Sequence, residues 1–143
     1  MSKYTIGSIS HGTMRPEDII PEFIYTLKQL DIEKKYTELI IEAEAITDFD
    51  SEEADEILNE DLFNALNEMA PPYFYFGSHP GDGSDYGFWL SEDLDQIFDG
   101  LRVDDTSEVP EDYVGEVIHV NDHGNTTLYV ADAGKLTEVW AIV

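Results

Sequence analysis

The stretch Pro71-Pro72-Tyr73-Phe74-Tyr75-Phe76-Gly77-Ser78-His79-Pro80-Gly81-Asp82-Gly83-Ser84-Asp85-Tyr86-Gly87-Phe88-Trp89-Leu90 decides how the chain folds. Two aromatic runs flank a segment of Gly, Pro, Asp and Ser. Aromatic residues suit the pleated surface of a strand. The segment between them supplies the backbone angles of a reversal. The stretch therefore predicts a β-hairpin whose rings meet across the strands and seed a core. Alternation from Tyr73 to Phe76 sends one pair of rings to each face. A face left open and apolar would be a partner or self-association patch. Gly81 or Gly83 is expected at positive φ, where a Cβ is costly.

Upstream the periodicity is helical. Residues 1–14 read as an extended lead-in, an edge strand through Tyr4, Ile6 and Ile9. Pro16 at a first helical position and Glu17 and Asp18 in the first turn open a helix carrying Ile19, Ile20, Phe23, Ile24, Leu27 and Leu30. Pro21 is expected to kink it or split off its first turn. A second helix is expected from about Ile32 to Ile46, with Ile32, Tyr36, Leu39, Ile40 and Ala43 on one face. A third starts with Asp50 as N-cap and Glu53 as its capping-box partner, and Pro71-Pro72 ends it.

Downstream, residues 91–100 suggest a short helix ending at Gly100, and residues 101–112 an exposed acidic loop. Tyr113 to Val120, Thr126 to Ala131 and Leu136 to Val143 read as strands, joined by hairpin turns at 121–125 and 132–135. The expected fold class is α+β: one domain over residues 1–143, with about three N-terminal helices packed on a C-terminal antiparallel sheet of four to five strands.

Charge sets the functional argument. The chain has 32 Asp and Glu against 7 Lys and Arg, a formal net charge of −25. Between Lys35 and Arg102 there is no Lys or Arg, while 18 acids lie there. Such a surface repels nucleic acid and membranes and attracts basic partners. With no cysteine, disulfide scaffolds, thiol catalysis and cysteine zinc sites are excluded. The opening residues Met1 to Gly7 lack a long apolar stretch, so neither a signal peptide nor a membrane span is expected, and the cytoplasm is the expected compartment.

Motifs for catalysis are weak. Asp48-Phe49-Asp50-Ser51-Glu52 matches the start of an EF-hand loop, but its sixth position is Glu53 instead of Gly and its twelfth Asn59 instead of Glu. His11, His79, His119 and His123 form no dense ligand motif, and His79 with Asp82 and Asp85 is not expected to hold a catalytic ion. Gly81-Asp82-Gly83 lacks the Lys and helix start of a phosphate loop. No catalytic residue, metal or cofactor is assigned. A metal-dependent hydrolase using His79 and Asp82 is an alternative, as is a soluble interaction domain whose acidity only solubilises it or adapts it to salt. Against salt adaptation, Ile (13) outnumbers Ala (8).

The reading chosen is nucleic-acid mimicry, in which carboxylates stand in for backbone phosphates. Glu53, Glu56 and Glu60 follow i, i+3, i+7 and should form one outward row about 10 Å long, with Glu52 and Asp55 beside it. This row and the cluster Glu92, Asp93, Asp95 are the expected contacts with a basic nucleic-acid-binding host protein.

The stretches from His11 to Asp18, from Asn59 to Leu66 on into the aromatic hairpin, and from Val120 through Asn125 to Trp140 make the chain similar to small acidic proteins, of no assigned activity, carried by bacteriophages and mobile elements. The resemblance brings no catalytic residues. It implies a context: such a protein resembles, in kind, the DNA-mimic inhibitors of restriction and CRISPR systems, and would act in the host cytoplasm.

Overall fold

The computed structural model describes residues 4–142. The predicted last residue of the final strand, Val143, lies outside them. The fold is α+β, but it has two sheets in place of the single one expected. One has three strands and the other four. Contacts group the chain into two compact units, one ending at Glu92 and the other starting at Asp93.

The first unit is built on the aromatic hairpin. Strand β1 is Gly7–Ser10, β2 is Phe74–His79 and β3 is Asp82–Leu90, in the antiparallel order β1-β3-β2. Pro80 and Gly81 make the reversal. Phe76 faces Phe88 across the strands, ring centroids 5.1 Å apart. Phe76 also meets Phe23 edge-on at 5.0 Å and Phe63 at 5.1 Å. Fully burying such a ring contributes roughly 1.5–3 kcal/mol, and with Phe23, Phe76 and Phe88 buried and Phe63 half-buried this four-ring cluster anchors the unit. Tyr75, on the opposite face from buried Phe74 and Phe76, is half-buried against its register partner Trp89. Tyr73 precedes the strand and takes a φ of 69°.

The turn departs from expectation. Gly81 and Gly83 are not at positive φ; Gly7, in β1, is, at 92°. A two-residue reversal led by Pro80 closes the hairpin without the left-handed residue assumed for it.

Helix α1, Pro16–Leu30, runs through Pro21 unbroken, with Ile19, Ile20, Phe23, Ile24 and Leu27 buried. Pro21 removes one backbone hydrogen bond near the exposed start of the helix, and the buried stripe on both sides of it outweighs that loss. Helix α2 is shorter than predicted, Thr37–Glu44. The cause is Asp31. This residue is only 3% exposed, and its carboxylate accepts the backbone N–H groups of Lys35 and Tyr36 at 2.8 Å. This ties residues 31–36 into a turn that puts Lys34 at φ 61° and leaves Ile32 74% exposed, away from the core face assigned to it.

The third helical segment is continuous but not uniform. It comprises α3 (Glu52–Glu56), a π-helical turn (Ile57–Leu62) and α4 (Phe63–Glu68). Its N-cap is Ser51, not Asp50: Ser51 Oγ accepts the N–H of Ala54 at 3.1 Å. Asp48 Oδ1 instead accepts the N–H of Asp50, so Asp50 belongs to the preceding turn. Ser51→Ala should therefore cost about 1 kcal/mol in urea unfolding, and Asp50→Ala clearly less. Equal losses for the two would return the cap to Asp50.

The second unit opens with α5, Leu94–Ile97, and holds the sheet β4-β5-β6-β7 (Leu101–Val103, Val114–Val120, Thr126–Asp132, Lys135–Ile142). The two C-terminal hairpins fall at the predicted turns. The segment assigned to a loop from 101 contains β4, and β4 pairs parallel with β5, so this sheet is not purely antiparallel. Val103, Val117 and Ala131 form a buried cluster, covered by Leu101, Val109, Tyr113, Tyr129 and Leu136. No described helix is long and apolar enough to cross a membrane.

Candidate partner-binding surface

The acidic row is set by the apolar stripe of the third helical segment. Ala54, Ile57, Leu58 and Leu62 are buried. Glu52, Glu53, Asp55, Glu56 and Glu60 are all exposed, as is Asp61. The spacing along the row differs from a straight α-helix. Glu53 and Glu56 lie in α3, whereas Glu60 lies in the π turn, whose i→i+5 hydrogen bonds widen the backbone. Glu60 is thereby rotated out of strict i, i+3, i+7 alignment with the other two.

Among the described residues, no Lys or Arg neutralises this row. Arg15 pairs with Glu17, Lys28 with Glu44 at 2.8 Å, Lys35 with Glu68, and Arg102 with Asp95 at 3.0 Å. Three of the five row carboxylates fall in the first turn of α3, where the helix dipole favours negative charge. That offsets part of their mutual repulsion, which at i, i+3 and i+4 spacing costs about 0.2–0.5 kcal/mol per pair.

The second predicted cluster is divided. Glu92 closes the first unit, while Asp93 and Asp95 belong to the second. All three are exposed. Asp95 is engaged by Arg102, so it is not the free carboxylate that the sequence suggests.

The hairpin tip has its own local order. His79 Nδ1 accepts the N–H of Gly81 at 2.9 Å, and its ring meets Trp89 edge-on at 4.8 Å. Asp82 Oδ1 accepts from the backbone N–H of Ser84 at 3.0 Å and from its hydroxyl at 2.9 Å. Those bonds hold the Asp82 carboxyl below the usual carboxylate range, with His79 and His11 adding to the effect. Asp85 accepts from the Ser8 hydroxyl. Among the described residues no three His, Asp or Glu side chains converge as a metal site would require.

One of the larger clefts of the first unit has its polar groups engaged by one another. It is about 330 Å³ and is lined by Asp31, Lys35 and Glu68 among others. Glu68 accepts from Lys35 and from the Tyr36 hydroxyl, and is held below the ordinary carboxylate range mainly by Lys35. Asp31 is satisfied by backbone. These groups brace the turn between α1 and α2.

A smaller cavity, about 110 Å³, opens beside the acidic row, with Met14, Phe23, Asp55, Asn59, Phe63 and Tyr86 in its wall. Of these only Asp55 is among the contacts expected from sequence. The others come from three separate segments, and nothing local signals the π turn that carries Asn59. No family profile, curated protein or solved structure matches the chain.

Proposed function

We propose that the protein is an acidic binding protein that acts without catalysis, as a nucleic-acid mimic. Its target is the basic groove of a DNA-handling host enzyme of restriction or CRISPR type, in the host cytoplasm, in keeping with its resemblance to phage and mobile-element proteins. The observation that carries this reading is the run Glu52, Glu53, Asp55, Glu56 and Glu60. It is exposed, crowded, and paired with no cation among the described residues. Folding alone gains little from five such charges, whereas a groove built for phosphates gains a rigid row of negative charge on a helix. Glu92 extends the acidic surface of the same unit.

Attraction of this kind is screened over about 10 Å at 0.1 M salt. Immobilised protein should therefore capture a DNA-handling enzyme from bacterial lysate at low salt, release it at high salt, and lose it to added duplex DNA. Capture of no such enzyme, or capture that excess duplex DNA does not displace, rules out mimicry.

A further inference from the structure

The cavity beside the acidic row has a composition that selects its occupant. At about 110 Å³ it holds roughly three to four waters and is well below the 300–1,000 Å³ of a cofactor or drug-sized site. It fits a single side-chain head. Its aromatic wall is rigid: Phe23 meets Tyr86 edge-on at 5.7 Å, and both Phe23 and Phe63 are locked against Phe76. Phe63 and Tyr86 are half-buried, and Met14, 61% exposed, forms a flexible rim.

Asp55 is the one charged group in the wall. Asn59 Nδ2 donates to Asp55 Oδ1 and to the Asp55 carbonyl, both at 3.1 Å. The first of these two hydrogen bonds orients the carboxylate through Oδ1, and no described residue bonds its Oδ2. An anion is repelled here, and an apolar side chain would desolvate the carboxylate without replacing its hydrogen bonds. A cation meets both features. A planar guanidinium can pair with Asp55 while lying against aromatic rings, which the compact, strongly hydrated ammonium of lysine does less well.

We infer that this cavity receives one arginine side chain of the basic partner, anchoring it beside the acidic row. The identity of the partner rests on the mimic reading; the chemistry of the cavity does not. The row supplies long-range attraction, and the cavity supplies a fixed point of register, since Asp55 belongs to both.

The test uses the isotope-labelled protein and the peptide acetyl-Gly-Arg-Gly-amide, followed by NMR. The peptide should shift the Met14 methyl, the Asn59 side-chain amide and the Phe63 and Tyr86 rings, and the shifts should saturate. The citrulline peptide has the same shape without the charge and should bind at least about tenfold more weakly. Asp55→Asn should lose a similar factor while keeping its fold by circular dichroism, and Glu42→Gln, an exposed acid on α2, should stay within about threefold of the parent. Equal binding of the arginine and citrulline peptides, an unchanged affinity in Asp55→Asn, or shifts spread without saturation over the acidic surface would overturn the proposal. Saturating shifts at the cavity in a protein that captures no DNA-handling enzyme would uphold the cavity and remove the mimicry.

Discussion

Gly87→Ala is expected to lower the stability of the protein by about 3 kcal/mol and its melting temperature by roughly 10 °C. Gly87 sits in the middle of β3, with Ser8 of β1 on one side and Gly77 of β2 on the other. A Cβ there would lie 2.2 Å from the carbonyl oxygen of Gly7 and 2.8 Å from the Cα of Ser8. These are backbone atoms, so no rotamer change relieves the clash, and β1 must move off the sheet. Gly83→Ala is the control. A Cβ on Gly83 meets nothing within 4 Å and its φ is ordinary, so its melting temperature should hold. If Gly87→Ala melts with the parent, β1 is not packed on β3 as described.

This result would also mark where sequence reasoning succeeded and where it stopped. The aromatic hairpin was legible because strand alternation and turn chemistry are local. Phe74, Phe76 and Phe88 declare a buried face within a few residues. Which glycine matters was not legible, because Gly87 is constrained by a strand nearly eighty residues away in sequence. The same division holds elsewhere. Asp50 and Ser51 are both good caps, and only the geometry of the entering turn chooses Ser51. Strand β4 has three residues and no alternation to read, and its parallel pairing with β5 is a nonlocal choice. Asp31 shortened α2 by an arrangement of two backbone bonds that helical periodicity does not encode.

For the candidate surface, periodicity was enough to place Glu52, Glu53, Asp55, Glu56 and Glu60 in solvent, since an apolar stripe dictates its opposite face. It was not enough to foresee that Arg102 engages Asp95, or that a π turn shifts Glu60. Nor could it assemble Met14, Phe23, Asn59, Phe63 and Tyr86 around Asp55, because they come from three segments brought together only by folding.

Replacing Glu53, Glu56 and Glu60 together by Gln should weaken capture of the DNA-handling enzyme about a hundredfold at low salt, and much less at high salt. Glutamine keeps the length and helix propensity of glutamate, so the change removes charge and little else. All three side chains are exposed and unpaired with any described cation, so no ion pair of the fold is lost. Their mutual repulsion disappears, while the favourable dipole term at the start of α3 is reduced for Glu53 alone among the three. Both effects are fractions of a kcal/mol and oppose each other, so the melting temperature should be level with the parent or above it. A binding role thus separates from a folding role in one variant. Affinity falls steeply, stability does not, and the salt dependence of what binding remains becomes shallower because fewer charges face the groove. A triple variant that captures the enzyme as tightly as the parent, with the same salt dependence, would show that these carboxylates serve only solvation, and would move the search for the contact surface to the aromatic hairpin.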